Sequence, residues 1–234
     1  MTAEEPLTID ARKRAAALAA LELIQDGMQL GLGTGSTVEH LLGAIAERGL
    51  DVAGVPTSEA TEAYCRELDL RVLHPSEVES LDLAIDGADE LDHALTATKG
   101  GGGALLREKV VAAMSERFVV IATTDKLVDR LGHSFPLPIE VVPFAAGPVT
   151  RRLRERGYDV QLRTAGEGPA VVTDNGNHLL DARMVGGIED PAVEELWIAA
   201  LPGVVECGLF VDLVDHALLA DEDGRVLSLE PGVS

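Results

Sequence analysis

Basic charge is what this chain has least of. Against 40 Asp and Glu stand 19 Lys and Arg, for a formal net charge of −21. Such a deficit excludes nucleic acid and anionic membrane as partners, since both require a basic surface. No stretch approaches the ~20 consecutive apolar residues needed to span a bilayer. The opening segment MTAEEPLTIDARKR is too acidic and polar for a signal peptide, so the protein is expected in the cytoplasm. There are only two cysteines, Cys65 in an expected helix and Cys207 in an expected strand. Without CxxC spacing or a secretory context they read as reduced core residues, not as a disulfide or a metal site.

Lysine is scarcer still. Lys13, Lys99, Lys109 and Lys126 are the only four, so fifteen of the 19 basic residues are arginine. A GC-rich genome, favouring Arg and Ala codons, accounts for the missing lysines but not for the acid. The acid is spread along the whole chain, not gathered in a tail. A distributed acidic surface suits a cytoplasm of high salt, where screening removes its self-repulsion. A halophilic source is therefore expected.

What is present is a chain of 234 residues with 46% hydrophobic content, enough for one large domain or for a main domain with a smaller one. The first half alternates helix and strand. Helices are expected at 10–24, 37–48, 57–68 and from Ala104, with Leu18, Leu21 and Ile24 on the buried face of the first. Strands are expected at 29–32, 52–55, 71–73, 83–85 and 118–122. Repeated βα units imply a parallel sheet with helices on both faces, and ligands collect outside the carboxyl ends of its strands. The character changes at FPLPIEVVPF, where Pro136, Pro138 and Pro143 mark a boundary and an edge strand. A helix (149–156), a strand (159–163), a hairpin turning at Asn175-Gly176, a helix from its cap Asp190 to Ala200 and a strand (204–210) follow. The order β-α-β-β-α-β is that of a ferredoxin-like module. The tail, 217–220 and 226–229, reads as a strand pair returning to the main sheet through Asp223-Gly224.

The chemistry concentrates between Leu83 and Met114. The glycine after Asp86 breaks a short buried strand, and Gly100 to Gly103 allow close approach of backbone to a small ligand. A helix from Ala104 carries apolar residues round most of its circumference and is therefore expected to be buried. Glu108 sits in its second turn among Leu105, Val111 and Ala112. Burial there disfavours the carboxylate and moves its pKa up towards the working pH. A Glu in the first turns of a helix also serves the helix dipole, and glycine runs are commonly plain loops. The conjunction of Asp86, Asp89, Lys99, the glycines and Glu108 is what marks a site.

A second loop, Gly31-Leu-Gly-Thr-Gly-Ser-Thr37, lies between a strand and a helix. It lacks the third glycine of a dinucleotide fingerprint, having Ser36 there, and lacks the Lys-Ser/Thr ending of a Walker loop. Backbone amides with the hydroxyls of Thr34, Ser36 and Thr37 at a helix start suit a phosphate or a sugar hydroxyl. A simple N-cap would use one hydroxyl where this loop offers three.

GLGTGST at 31–37, DGADE at 86–90, KGGGGALLREK at 99–109 and TDKLVDRLG at 124–132 together resemble the A type of ribose-5-phosphate isomerase. FPLPIEV at 135–141 and VVTDNGN at 171–177 match in the same order. The one visible departure is Gly103, where the family commonly has Ala, and it bears on loop flexibility. The resemblance implies interconversion of ribose 5-phosphate and ribulose 5-phosphate with no cofactor and no metal. It also implies a Rossmann-like parallel-sheet domain, here 1–132 plus 207–234, carrying a smaller ferredoxin-like α+β lid, 133–206, in a homodimer or homotetramer. By the same resemblance Glu108 is the catalytic base, and the loops 34–37, 86–89 and 99–102, with Lys126, bind substrate.

Such a reaction moves a proton between C2 and C1 through an enediolate. One carboxylate of raised pKa can carry it both ways, as in the well-known triosephosphate isomerase case. Lys99 and the amides of Gly100, Gly101 and Gly102 are expected to face the enediolate charge. Asp86 is expected to assist ring opening, with Gly87, Ala88 and Asp89 beside it and Asp89 orienting hydroxyls or holding Lys99. The phosphate is expected at Thr34, Gly35, Ser36 and Thr37, with Lys13 or Lys126 supplying charge. Lys109 is left over and is expected to be solvated. Two rivals are a Mg²⁺ enzyme using Asp86, Asp89, Glu90 and Asp92, and a non-catalytic sugar-phosphate or CoA-ester binding protein, which would need no buried Glu. A dehydrogenase is disfavoured by the broken fingerprint.

If the acidic surface is an adaptation to salt, the protein loses stability as salt falls, because the Debye length grows from ~3 Å at 1 M to ~30 Å at 0.01 M and the carboxylates repel. Thermal unfolding in a KCl series from low millimolar to molar is expected to give a rising Tm, while phosphate binding weakens somewhat through screening of the local lysines. A Tm flat across the series would rule out the salt adaptation.

Overall fold

The computed structural model describes residues 6–232, so the first five residues of the acidic opening segment lie outside the described residues. In chain order the elements are α1 (Ile9–Leu21), β1 (Gln29–Leu32), α2 (Ser36–Arg48), β2 (Ala53–Pro56), α3 (Glu59–Glu67), β3 (Arg71–Val72) and β4 (Leu83–Asp86). They continue with β5 (Glu90–Leu91), β6 (Ala97–Thr98), α4 (Leu105–Ala113), β7 (Phe118–Thr123), β8 (Leu137–Val141), α5 (Ala146–Glu155) and β9 (Tyr158–Leu162). The last are β10 (His178–Met184), α6 (Pro191–Ala199), β11 (Val204–Cys207), β12 (Leu209–Phe210), β13 (His216–Ala220) and β14 (Val226–Leu229).

Seven strands form the main sheet in the order β14-β13-β7-β4-β1-β2-β3. All neighbours are parallel except β13 and β14, which the Asp223-Gly224 turn joins as an antiparallel pair. Alternate side chains serve opposite faces. Leu30, Leu32, Leu83, Ile85, Val119 and Ile121 pack under α1, α2 and α3. Ala84, Phe118, Val120 and Ala122 pack on the other face with Val111 and Ala112 of α4 and with Leu91, Ala97 and Phe210 of a small antiparallel sheet, β12-β6-β5. Gly31 is what allows α4 to lie so close, because a Cβ there would stand 2.5 Å from Val111 Cγ1.

The second half holds a four-stranded antiparallel sheet, β11-β8-β10-β9, with its own core of Leu137, Ile139, Val141, Leu153, Val160, Leu180 and Ile198. Its order along the chain is the β-α-β-β-α-β read from the sequence. Asp190 caps α6 by accepting the Val193 amide at 3.1 Å.

Several local expectations are corrected. The proline-bearing strand β8 is an interior strand, between β11 and β10. Pro138 is tolerated because its carbonyl turns to Gly208 N, 2.8 Å away, just past the last β11 pair, Cys207 with Ile139. Its missing N–H therefore falls on the β11 side, where that ladder has ended, while the β10 ladder runs on through Asp181–Pro138 and Ala182–Leu137. The expected strand 204–210 is divided, with β11 in the four-stranded sheet and β12 in the three-stranded one. In α1 the buried face is Ala16, Ala17, Ala20 and Leu21, while Leu18 is 37% exposed. Helix α4 buries one face only, and Val110 is 48% exposed. Lys109 is not solvated: its ammonium lies 2.8 Å from both Glu195 and Glu206 and 5.1 Å from the Phe210 ring centroid.

Glu90 joins the three-stranded sheet to the chain entering β8. Its buried carboxylate accepts the amides of Gly132 (2.6 Å), Ser134 (2.6 Å) and Phe135 (2.8 Å). Glu90→Ala leaves these donors unpaired, at a cost of about 3 kcal/mol or more. For a chain of this size that lowers Tm by about 6–12 °C, measurable by calorimetry. An unchanged Tm would show that solvent replaces the carboxylate.

Candidate active site

Three loops meet at the carboxyl ends of β1 and β4. The first follows β1, where Gly33 is required because a Cβ there would stand 2.2 Å from the Asp86 carboxylate. Gly35, at φ 115°, then turns the chain into α2, and no side chain caps that helix. Two of the three hydroxyls expected at the phosphate have partners within the chain. Ser36 Oγ accepts from Lys13 Nζ at 2.8 Å. Thr34 Oγ1 turns into a hydroxyl cluster with Thr57 (2.8 Å), Ser58 (2.9 Å) and Thr61 (3.1 Å).

The second loop follows β4. Asp86 Oδ1 accepts the amides of Thr34 (3.0 Å) and Gly87 (2.7 Å), and its Oδ2 lies 3.0 Å from Lys99 Nζ. The third loop begins at Lys99, whose ammonium also donates to Gly87 O at 2.7 Å and stands 3.4 Å from Glu108 Oε2. It is 5.5 Å from the Phe210 ring centroid, so one buried ring is flanked by Lys99 and Lys109. Asp89 holds the Gly101 amide at 2.7 Å. Thus Asp86, not Asp89, is the direct partner of Lys99.

These loops enclose a cavity of about 230 Å³. Lys13, Thr34, Gly35, Ser36, Thr37 and Lys126 line one end. Gly87, Ala88, Asp89, Lys99, Gly100, Gly101, Gly102 and Glu108 line the other. Of the residues expected in the site only Asp86 is not on this wall. It lies behind, near Gly33 and Glu108, in contact with Lys99. A larger groove of about 830 Å³ runs along α4 between Leu106 and Val72, but it contains none of the expected site residues.

The electrostatics follow from burial. Glu108 is 5% exposed. Desolvation pushes its pKa up to about 8, with Asp86 and Asp89 adding to the rise and Lys99 opposing it. Burial raises Asp89 as well, against the Gly101 amide and the charges of Lys99, Lys126 and Arg163. For Lys99 burial acts to lower the pKa, but Asp86 and Glu108 outweigh it and hold the ammonium above the usual lysine range. The result is a permanent cation beside an acid that exchanges its proton near neutral pH.

Some functional positions were not foreseen. Arg12, in α1, donates to Thr124 Oγ1 (3.2 Å) and Asp125 Oδ1 (3.0 Å), fixing the turn that carries Lys126. The Ser58–Thr61 pair, which both caps α3 and receives Thr34, was legible as a Ser before a helix, although not as an anchor for another loop. Arg163 reaches the glycine loop from β9's end with no local sequence signal. Glu90 and Asp92, considered as metal ligands, instead accept backbone amides of separate loops. Among the described residues no three His, Cys, Asp or Glu side chains converge as a metal site.

Fold and cavity together define an α/β protein with an acid–base pair and an anion-sized loop at the switch between its strands. Residues 53–224 match the family model described as ribose 5-phosphate isomerase A (phosphoriboisomerase A). The chain is 49% identical over 223 residues to ribose-5-phosphate isomerase A of Rhodopseudomonas palustris strain TIE-1, covering 91% of this chain and 94% of that protein. It is 47% identical to the Bradyrhizobium diazoefficiens protein of the same name, covering 93% and 95%. Among solved structures, a D-ribose-5-phosphate isomerase in complex with phospho-erythronic acid superposes with a TM-score of 0.92 at 36% identity, covering 96% of this chain and all of that one. The Neisseria gonorrhoeae ribose 5 phosphate isomerase A gives 0.90 at 38% identity, covering 97% and 99%. The chain belongs to the ribose 5-phosphate isomerase A family, as the motif resemblance implied.

With the pKa near 8, Glu108 is a neutral acid at pH 7 and a carboxylate above pH 8. Infrared difference spectra are expected to show a protonated carboxyl band that fades as pH rises through about 8 and is missing in Glu108→Gln. A band lost already near pH 5 would contradict the effect of burial.

Proposed function

We propose that this protein interconverts D-ribose 5-phosphate and D-ribulose 5-phosphate through an enediolate, as an aldose–ketose isomerase of the non-oxidative pentose phosphate pathway. The observation that carries this reading is the buried Glu108 on the cavity wall, 3.4 Å from Lys99 and facing a loop of glycine amides. A protein that merely held a sugar phosphate would not need a carboxylate desolvated beside a cation.

In this reading the phosphate sits at the uncapped start of α2, where first-turn amides and the helix dipole favour an anion, with Lys13 and Lys126 beside it. The sugar chain then runs towards Glu108. Asp86 keeps Lys99 charged and in place beside the two sugar oxygens, between which the hydroxyl proton passes. Asp89, which is on the cavity wall where Asp86 is not, takes over the ring-opening role expected of Asp86: with its raised pKa it takes and returns the anomeric proton. Glu108 in its carboxylate form removes the proton from C2 and delivers it to C1. Lys99 and the glycine amides stabilise the negative oxygen that develops meanwhile. All steps use side chains of this chain, and activity in the presence of a chelator is expected to be retained.

The four-stranded module, 133–206, serves as a lid over the Rossmann-like part formed by 1–132 and 207–234. The protein works in the cytoplasm, as a homodimer or homotetramer, and its acidic surface is an adaptation to salt.

Glu108→Gln keeps the shape but cannot accept a carbon-bound proton, so kcat is expected to fall by about 10²–10⁴-fold, with KM within a few-fold. Lys99→Ala is expected to lower kcat by at least the factor by which it raises KM, because the charge it faces develops on the way to the enediolate. Both are read by converting ribose 5-phosphate to ketose with the pure protein. Near-normal turnover in the Glu108 variant would remove that residue from the mechanism, and a change in KM alone would make Lys99 a ground-state ligand.

A further inference from the structure

Arg163 lies just beyond β9, in the four-stranded module, which supplies no residue to the cavity wall. Its guanidinium has two sets of partners. Nε and Nη2 bond the two carboxylate oxygens of Asp181, with Nε at 3.0 Å, and this two-point pairing fixes the plane of the group. Nη1 donates to the carbonyl oxygens of Gly100 and Gly101, both at 3.0 Å. Those are the peptides of the loop that faces Glu108.

A trans peptide is planar and its C=O and N–H point in opposite directions, and no cis bond occurs among the described residues. Drawing the Gly100 carbonyl to Arg163 therefore turns the Gly101 N–H the other way. That amide meets Asp89 at 2.7 Å, as the geometry demands. Drawing the Gly101 carbonyl to Arg163 likewise turns the Gly102 N–H away from the guanidinium. No acceptor among the described residues takes that amide, and Gly102 lines the cavity. Glycine imposes little preference of its own on the loop, so the orientation of these two peptides depends on what holds their oxygens: the Gly100 oxygen is shared between Arg163 and the Gly103 amide at 3.0 Å, whereas among the described residues the Gly101 oxygen has Arg163 alone.

We propose that Arg163 is a positioning residue for the isomerisation: locked by Asp181, it aims the free Gly102 amide at the developing enediolate oxygen and sets Asp89 through Gly101. The inference rests on the enediolate reading given above. Arginine is required because a lysine presents one charged nitrogen and cannot pair with Asp181 on one edge while holding two carbonyls with a fixed third nitrogen.

The test compares Arg163→Ala, Arg163→Lys and Asp181→Asn with the unchanged chain. Steady-state rates are measured with ribose 5-phosphate, and inhibition with phospho-erythronic acid and with inorganic phosphate. Loss of one preorganised oxyanion donor costs about 10²–10³-fold in kcat, and a donor left present but misaimed is expected to cost about 10-fold or more, with KM within about 3-fold. Inhibition by phospho-erythronic acid, which carries a carboxylate where the enediolate oxygens form, is expected to weaken by a similar factor. Inhibition by inorganic phosphate stays unchanged. Arg163→Lys follows Arg163→Ala, and millimolar guanidinium partly restores kcat in the Ala variant only. Asp181→Asn, which keeps the arginine, gives the same pattern in smaller measure and serves if Arg163→Ala fails to fold. An unchanged kcat in the variants, or an equal loss of phosphate and phospho-erythronic acid inhibition, would overturn the role of Arg163 alone. Absence of turnover in the unchanged chain would overturn the isomerase reading and this inference with it.

Discussion

The structure is organised around a lysine ammonium held out of water. Lys99 is 2% exposed and has Asp86 at 3.0 Å, Glu108 at 3.4 Å and the Gly87 carbonyl at 2.7 Å. A buried cation is tolerated only when its charge is met and its donors are used. Meeting that requirement brings together the end of β4, the glycine loop and α4. At Glu108 desolvation outweighs the attraction of the ammonium, so that carboxyl stays short of full ionisation near neutral pH. Asp86 has two backbone amides as well as the ammonium, and Glu108 has the ammonium alone.

Close approach of backbones is the second condition. Gly33 leaves room for the Asp86 carboxylate, and Gly31 lets Val111 of α4 rest on the sheet. A side chain at either would move the acid or the base relative to Lys99. The glycines of the loop after β1 therefore matter for packing beneath the cavity as much as for access above it.

Much of this was legible in the sequence, because the signals are local. Strand–glycine–helix junctions at 29–37 and 83–109 gave the βα units and the two loops. The apolar neighbours of Glu108 at helical spacing gave its burial, and Asn175-Gly176 and Asp190 marked a turn and a cap. What escaped depends on partners distant along the chain. Lys109 looked like a surface lysine because Glu195 and Glu206 lie 86 and 97 residues away. Pro138 looked like an edge residue because nothing local shows that the β11 ladder stops just short of it. The hydroxyl cluster around Thr34 was out of view because Thr57, Ser58 and Thr61 belong to the next βα unit. Val110 counted as core by composition, yet it is 48% exposed on the wall of the groove along α4.

The hydroxyl of Thr34 is turned into its cluster, and that of Ser36 is held by Lys13, so α2 begins with its first-turn amides lacking a capping side chain. In most helices a side chain on the same chain completes that turn. In the proposed reading the substrate phosphate takes that place. An anion seated there would be the missing terminal piece of a helix as well as a passenger in a cavity. Its binding energy and the integrity of the first turn of α2 would then be one quantity, shared between ligand and fold.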